Sequence, residues 1–191
     1  MLKDLVYRSR SYRRFDQSAR IPLSTLRELV DLARMSPSGG NKQPLKYILI
    51  ASEEVCAQIF PYLRWAAYLK DWDGPDEGER PAAYVIALGD TAITTNFGVD
   101  PGIAMQTLLL GAVEQGYGGC MLASILREEL RTALNIPPQF EILYVVALGK
   151  PLEKVVVEAV GADGDIKYWH DDQQAHHVPK RALADLIVAE K

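Results

Sequence analysis

Cysteine is nearly missing from this chain: Cys56 and Cys120 are the only two in 191 residues, far apart and outside any CxxC pair. That excludes a disulfide framework and a zinc–thiolate site, and a reducing, cytoplasmic setting is the expectation. Histidine is almost as scarce, with His170, His176 and His177 all near the C-terminal end. The adjacent pair diverges on extended backbone and lacks the i, i+4 spacing of a helical metal pair, so no metal site is expected. No window reaches 18 apolar residues, and the opening Met1-Leu2-Lys3-Asp4-Leu5-Val6 is not a signal peptide, so neither a membrane span nor export is expected. GxxxxGK[ST], a GxGxxG after a strand and a GxSxG elbow are also missing, which removes P-loop, dinucleotide-fold and Ser-hydrolase readings. Excess positive charge is absent too: 21 Lys plus Arg stand against 25 Asp plus Glu, a net −4 that disfavours nonspecific nucleic-acid or anionic-membrane binding.

What remains is ordinary globular composition, 48% hydrophobic and 24% charged. A chain of this length buries roughly 70% of its unfolded surface, so a single domain over 1–191 is expected, with Asp71–Pro81 as a surface loop. Leu23, Leu26, Leu29, Val30 and Ala33 recur at helical spacing, and Ser36–Asn41 breaks the period with turn residues. Tyr47–Ala51, Ala83–Gly89 and Ile142–Gly149 are apolar strand segments, and helices are expected over Glu53–Phe60 and Asp100–Gln115. Ser124 is placed to cap a helix running to Leu134, which Pro137-Pro138 ends. Helices between buried strands predict a layered α/β or α+β domain. From Pro151 the tail is less regular, with a short helix at Ala182–Val188 and an aromatic and histidine content suited to an arm packed on something, a partner subunit being one candidate.

Three clusters carry chemistry. Arg8-Ser9-Arg10-Ser11-Tyr12-Arg13-Arg14-Phe15 gathers guanidinium forks and hydroxyls that suit a phosphate, or a solvated basic turn. Ser36-Pro37-Ser38-Gly39-Gly40-Asn41-Lys42-Gln43-Pro44 lets backbone approach a flat ligand and offers amides to a ring edge, or is an ordinary turn. Gly116–Ser124 is a glycine turn feeding a short apolar segment. Cys120 within it has no nearby His or Arg to activate it, and both cysteines read as buried structural thiols. Lys180-Arg181 is a second local cationic pair, of interest if a phosphate lies close.

Together these segments resemble the nitroreductase family of FMN-dependent oxidoreductases. The likeness spans nearly the whole chain and rests on Arg10–Phe15, Ser36–Pro44, Asp100–Leu110, Gly118–Ser124 and Ala147–Pro151 in the family's order. It implies an α+β fold: an α/β sandwich with a central mixed, mainly antiparallel sheet flanked by helices. It also implies a homodimer with FMN sites lined by both chains and a C-terminal arm, about 151–191, packing on the partner. Arg10, Ser11 and Arg13 then look like phosphate, ribityl and pyrimidine-edge contacts, and Pro37, Ser38, Gly39, Asn41 and Gln43 like the ring-binding loop. Met121, Leu122 and Ala123 resemble the segment whose backbone N–H faces flavin N5, and Lys180 or Arg181 the distal phosphate clamp. Some members carry an acidic residue where this chain has Ala123 and Ser124, a change a backbone donor survives. The activity implied is ping-pong hydride transfer from NAD(P)H through FMN to an electron-poor small molecule such as a nitroaromatic or quinone, with no catalytic side chain required. Tyr68–Pro81 is a candidate lid, with Tyr68 or Trp72 shaping the acceptor pocket. A flavin holder or sensor without turnover, a flavin-modifying or dehalogenating relative, and a dimeric interaction module are the alternatives.

Overall fold

In a computed structural model of residues 1–191, the strand β3 (Ala83–Asp90) is the axis of the molecule, and all eight of its residues are buried. Small and β-branched residues on both faces suit it to that place. β2 (Leu45–Ile50) pairs with one edge of β3 and β5 (Phe140–Pro151) with the other. The far end of β5 also pairs with β1 (Phe15–Asp16) and β4 (Gly118–Leu122), completing a five-stranded sheet whose strand pairs are all antiparallel.

The period-2 alternation of β3 divides the core in two. Tyr84, Ile86 and Leu88 point to one side, where α3 (Glu53–Ile59), α5 (Arg127–Ala133), Leu63 and Trp65 cover them. Ala83, Val85 and Ala87 point to the other, under α2 (Leu23–Arg34) and α4 (Asp100–Glu114). On β5 the register shifts opposite Ala87 and Leu88: Tyr144 faces Ala87, but Ile142 faces Leu88. The extra residue lets Ile142 and Val145, an odd number apart, both reach the Tyr84 side. α1 (Leu2–Arg8) buries no residue of its own.

The expected helices and strands are present, with one correction near the site and two in the tail. Ser124 does not cap α5, whose N-cap is Leu126 and which has no side-chain cap. Instead, the Ser124 carbonyl accepts from Arg64 N at 3.0 Å, because β4 ends two residues earlier and the chain is still extended there. The tail is more regular than its composition suggests. β6 (Val155–Ala159), β7 (Trp169–His170) and β8 (His176–Lys180) form a second sheet, β6 parallel and β7 antiparallel to β8. This sheet lies on its own chain, with His176 N donating to Lys154 O and Tyr168 stacked obliquely on Tyr68. The last helix, α6 (Leu183–Leu186), is shorter than expected.

Candidate active site

The arginine cluster divides by partner. Arg8 pairs with Asp4 one turn back, and Arg14 forks onto Glu79 at 2.5 and 2.7 Å, holding that carboxyl below its usual range. Arg10 and Arg13 are left free of carboxylate side-chain partners. Arg10 folds back on the end of α1, donating to Ser9 O and Val6 O. Arg13 is held through its main chain, its N–H donating to a Glu153 carboxylate oxygen at 2.9 Å. Its guanidinium lies over the Tyr168 ring at 5.2 Å, and its buried Nε has no hydrogen-bond partner.

Backbone pairing joins the first cluster to the third. Tyr12 N donates to Gly119 O, and Ser11 bridges Gly119 in the parallel sense. Glycines are needed here: a Cβ on Gly118 would stand 2.5 Å from the Tyr12 ring, and one on Gly119 2.2 Å from Ala147 O. The result is two adjoining hollows that share Arg13. One, of about 300 Å³, is lined by Ser9, Arg10, Ser11, Arg13, Tyr168 and Lys180, among others. The other, of about 260 Å³, is lined by Arg13, Arg64–Ala67 and Met121–Ser124. Three cationic side chains and two hydroxyls at one end, leading past Arg13 to an apolar shelf, suit an elongated ligand with an anionic terminus. Arg181 is exposed and is not among the residues lining either hollow. Of the β4 residues, Leu122 turns its side chain into the core while Met121 and Ala123 are exposed.

The second cluster lies apart and shares no lining residue with these hollows. Asp100, in the first turn of α4 and buried, organises it. Ser38 Oγ donates to one Asp100 oxygen at 2.6 Å, and Gly39 N reaches the carboxylate at 3.0 Å. Ser38 Oγ in turn accepts from Gln43 N, and the Gln43 side-chain amide donates to Asn41 O. Asn41 and Gln43 hold left-handed backbone, φ 53° and 52°, a strain that persists only where contacts impose it. Pro37, Gly39 and Asn41 remain exposed. Farther along the same helix, Gln106 Nε2 donates to Ser9 Oγ, so α4 touches both clusters.

Tyr68 and Trp72 lie on the C-terminal sheet side: Tyr68 is 4.9 Å from the Tyr168 ring, and Trp72 meets His170 edge-on. Neither lines the two hollows. Both thiols are buried, and burial pushes Cys56 to about 11 and Cys120 to about 12, as expected of structural cysteines. His176, buried beside Arg13, is pushed down to about 4 by burial and then by that guanidinium, so it is neutral near pH 7. Sequence reading assigned nothing to Asp100, Glu153, Tyr168 or His176. Their contacts to the two clusters, with Ser38, Gly39 and Arg13, span 61 to 163 positions, and no local spacing signals them.

A family model described as the nitroreductase family matches residues 6–150. The chain belongs to the nitroreductase family. Among its relatives, protein DrgA of Synechocystis is 25% identical over 178 residues, covering 78% of this chain and 84% of that protein. The putative NAD(P)H nitroreductase YodC of Bacillus subtilis is 22% identical, covering 78% and 89%. A nitroreductase-like protein from Streptococcus mutans superposes over the whole of both chains with a TM-score of 0.73 at 15% identity. A putative nitroreductase from Exiguobacterium sibiricum, solved in complex with FMN, covers 80% of this chain and 89% of its own at TM-score 0.66 and 18% identity. These likenesses establish the nitroreductase fold. The matched span contains the arginine cluster, the Ser36–Pro44 loop and β4, and it ends before the small C-terminal sheet.

Proposed function

We propose that this chain is an FMN-dependent oxidoreductase that passes hydride from NAD(P)H to an electron-poor acceptor, a nitroaromatic or quinone, as a homodimer. The observation that carries the proposal is the Arg13-centred pair of hollows. The residues present fit the group: Arg10, Arg13, Lys180, Ser9 and Ser11 supply phosphate donors, and the buried, unpartnered Arg13 Nε is a donor short of an acceptor. The chemistry supplied by FMN when bound is reversible hydride transfer, so no side-chain acid or base is needed. Arg10 and Lys180 would hold the phosphate, Lys180 being the clamp rather than Arg181. Arg13, beside the Met121–Ser124 shelf, would stabilise negative charge on the ring system, and backbone N–H groups of that shelf would orient it.

The separation of the Ser36–Pro44 loop from these hollows supports a site completed by a second copy, to which Pro37, Ser38, Gly39, Asn41 and Gln43 would be contributed. Exposed apolar residues on α1 (Leu2, Val6, Tyr7), at the start of α4 (Val99, Ile103) and in the tail (Leu183, Leu186, Val188) are consistent with such pairing. Tyr68, next to the shelf-lining Ala67, would be the acceptor-side contact, while Trp72 packs on His170 and is not among the lining residues. An absorption spectrum of the purified protein, followed by anaerobic mixing with NADH and NADPH, tests the proposal. Flavin bands that bleach on mixing and return with a quinone are expected. Colourless protein that takes up no FMN, or Arg10→Ala/Arg13→Ala protein that folds and keeps FMN as tightly, overturns it.

A further inference from the structure

Beside Arg13, three metal-ligating side chains from separate segments converge: Glu153 after β5, His170 on β7 and His176 on β8, the last of which also lines the Arg10–Lys180 hollow. The Glu153 side chain is fully buried, His176 nearly so, and His170 is 13% exposed. His170 Nε2 stands 3.0 Å from His176 Nδ1 and 3.3 Å from Glu153 Oε1, and the third side of the triangle is 3.9 Å. A point equidistant from the three atoms lies about 2.0 Å from each, the length of a zinc–imidazole or zinc–carboxylate bond. Tetrahedral ligands at such lengths stand about 3.4 Å apart, close to the mean of the three sides.

The same atoms are within hydrogen-bond reach of one another: His170 Nε2 meets both Glu153 Oε1 and His176 Nδ1, and His176 Nε2 faces Arg13 Nη1 at 3.4 Å. Two imidazole nitrogens and a carboxylate oxygen thus converge on one buried point, where a cation would take all three as ligands. Arg13 Nη1 has Ser11 O at 3.3 Å as its acceptor.

From this geometry we infer that Glu153 Oε1, His170 Nε2 and His176 Nδ1 form a binding site for one divalent transition-metal ion, Zn²⁺ or Fe²⁺ in kind. Two imidazoles and a carboxylate are a donor set such ions take. The second Glu153 oxygen is fixed by Arg13 N at 2.9 Å, and rings of Trp72 and Tyr168 wall the histidines. The role is a clip. It ties β7, β8 and the end of β5 to the main chain of Arg13, a junction otherwise held by a small sheet with two-residue β7. His177, one residue on, points to Glu158 and Asp171 and stands outside the site.

The test uses the full chain, free of any affinity tag, stripped with chelator and titrated with Zn²⁺, and separately with Co²⁺. One ion per chain is expected, with Co²⁺ absorption bands characteristic of nitrogen–oxygen ligation and a melting midpoint that rises with Zn²⁺ concentration. His170→Gln, at the exposed edge, and Glu153→Gln, nearly isosteric, should each weaken binding at least about tenfold, while His177→Gln keeps it. Wild-type protein that binds no ion, or a His170→Gln protein that binds as well as wild type, overturns the inference. Metal stoichiometry is read with and without FMN, so failure of the flavin proposal and failure of this one are seen separately.

Discussion

Replacing Asp100 by Ala removes the acceptor from which the Ser36–Pro44 loop hangs. Two donors reach that carboxylate, Ser38 Oγ at 2.6 Å and Gly39 N at 3.0 and 3.2 Å from its two oxygens. A hydrogen bond to a charged group contributes about 1.5–3 kcal/mol net. Asp100 also sits in the first turn of α4, where a carboxylate adds about 0.3–1 kcal/mol against the helix dipole. Partial resolvation of the freed donors lowers the sum, so the variant should lose about 2–4 kcal/mol. For a chain of this size each kcal/mol lowers the melting midpoint by roughly 2–4 °C. Calorimetry at one fixed protein concentration reads this, because the midpoint of any chain that pairs with itself moves with concentration. Asp31→Ala is the control. It breaks an exposed ion pair with Arg34 and should stay within about 1 kcal/mol of wild type. If the loop supplies ring contacts to a flavin, Asp100→Ala also weakens FMN binding by about tenfold or more, since about 1.4 kcal/mol corresponds to that factor. An Asp100→Ala protein no less stable than Asp31→Ala would show that the loop holds its left-handed turns unaided, and the reasoning would fail.

Three further outcomes follow from the fold. Arg14 holds Glu79 below its usual range, so the pair's stability, about 1 kcal/mol, is present above pH 4.5 and lost as pH falls through the lowered folded value. Urea midpoints of wild type and Glu79→Gln should therefore differ at pH 7 and converge in acid; equal midpoints at pH 7 would deny the pair its role. With Cys120 at about 12 and Cys56 at about 11, neither should react with a disulfide reagent at pH 8 until the protein is unfolded, and fast native labelling would contradict their burial. Gly119→Ala sets a Cβ 2.2 Å from Ala147 O, a backbone atom that cannot step aside, and should cost about 1–3 kcal/mol in a denaturant titration. Unchanged stability there would mean that β4 can shift along β5.

Local pattern determined much of this molecule. Short continuous apolar runs identify the three long strands, and the Leu23–Ala33 spacing identifies α2. Gly118-Gly119, read as part of a glycine turn, instead begins β4, where the structure leaves room only for glycine. The two candidate clusters were legible as clusters: unusual residue types crowd into short segments at Arg10–Arg13 and Ser36–Gln43. Tertiary structure decided what those segments meet. Composition cannot say that Arg14 is spent on Glu79 while Arg13 stays free, nor that Lys180 rather than Arg181 turns toward Arg10. Ser124 had the right type for a cap but the wrong backbone, because strand pairing outcompeted the local preference. The spacing of His170 and His176 carries no helical signal, and Glu153 lies 17 positions before the first of them. Only folding of the C-terminal sheet onto the main chain of Arg13 brings the three together, since contacts between distant segments depend on topology and not on any window of sequence.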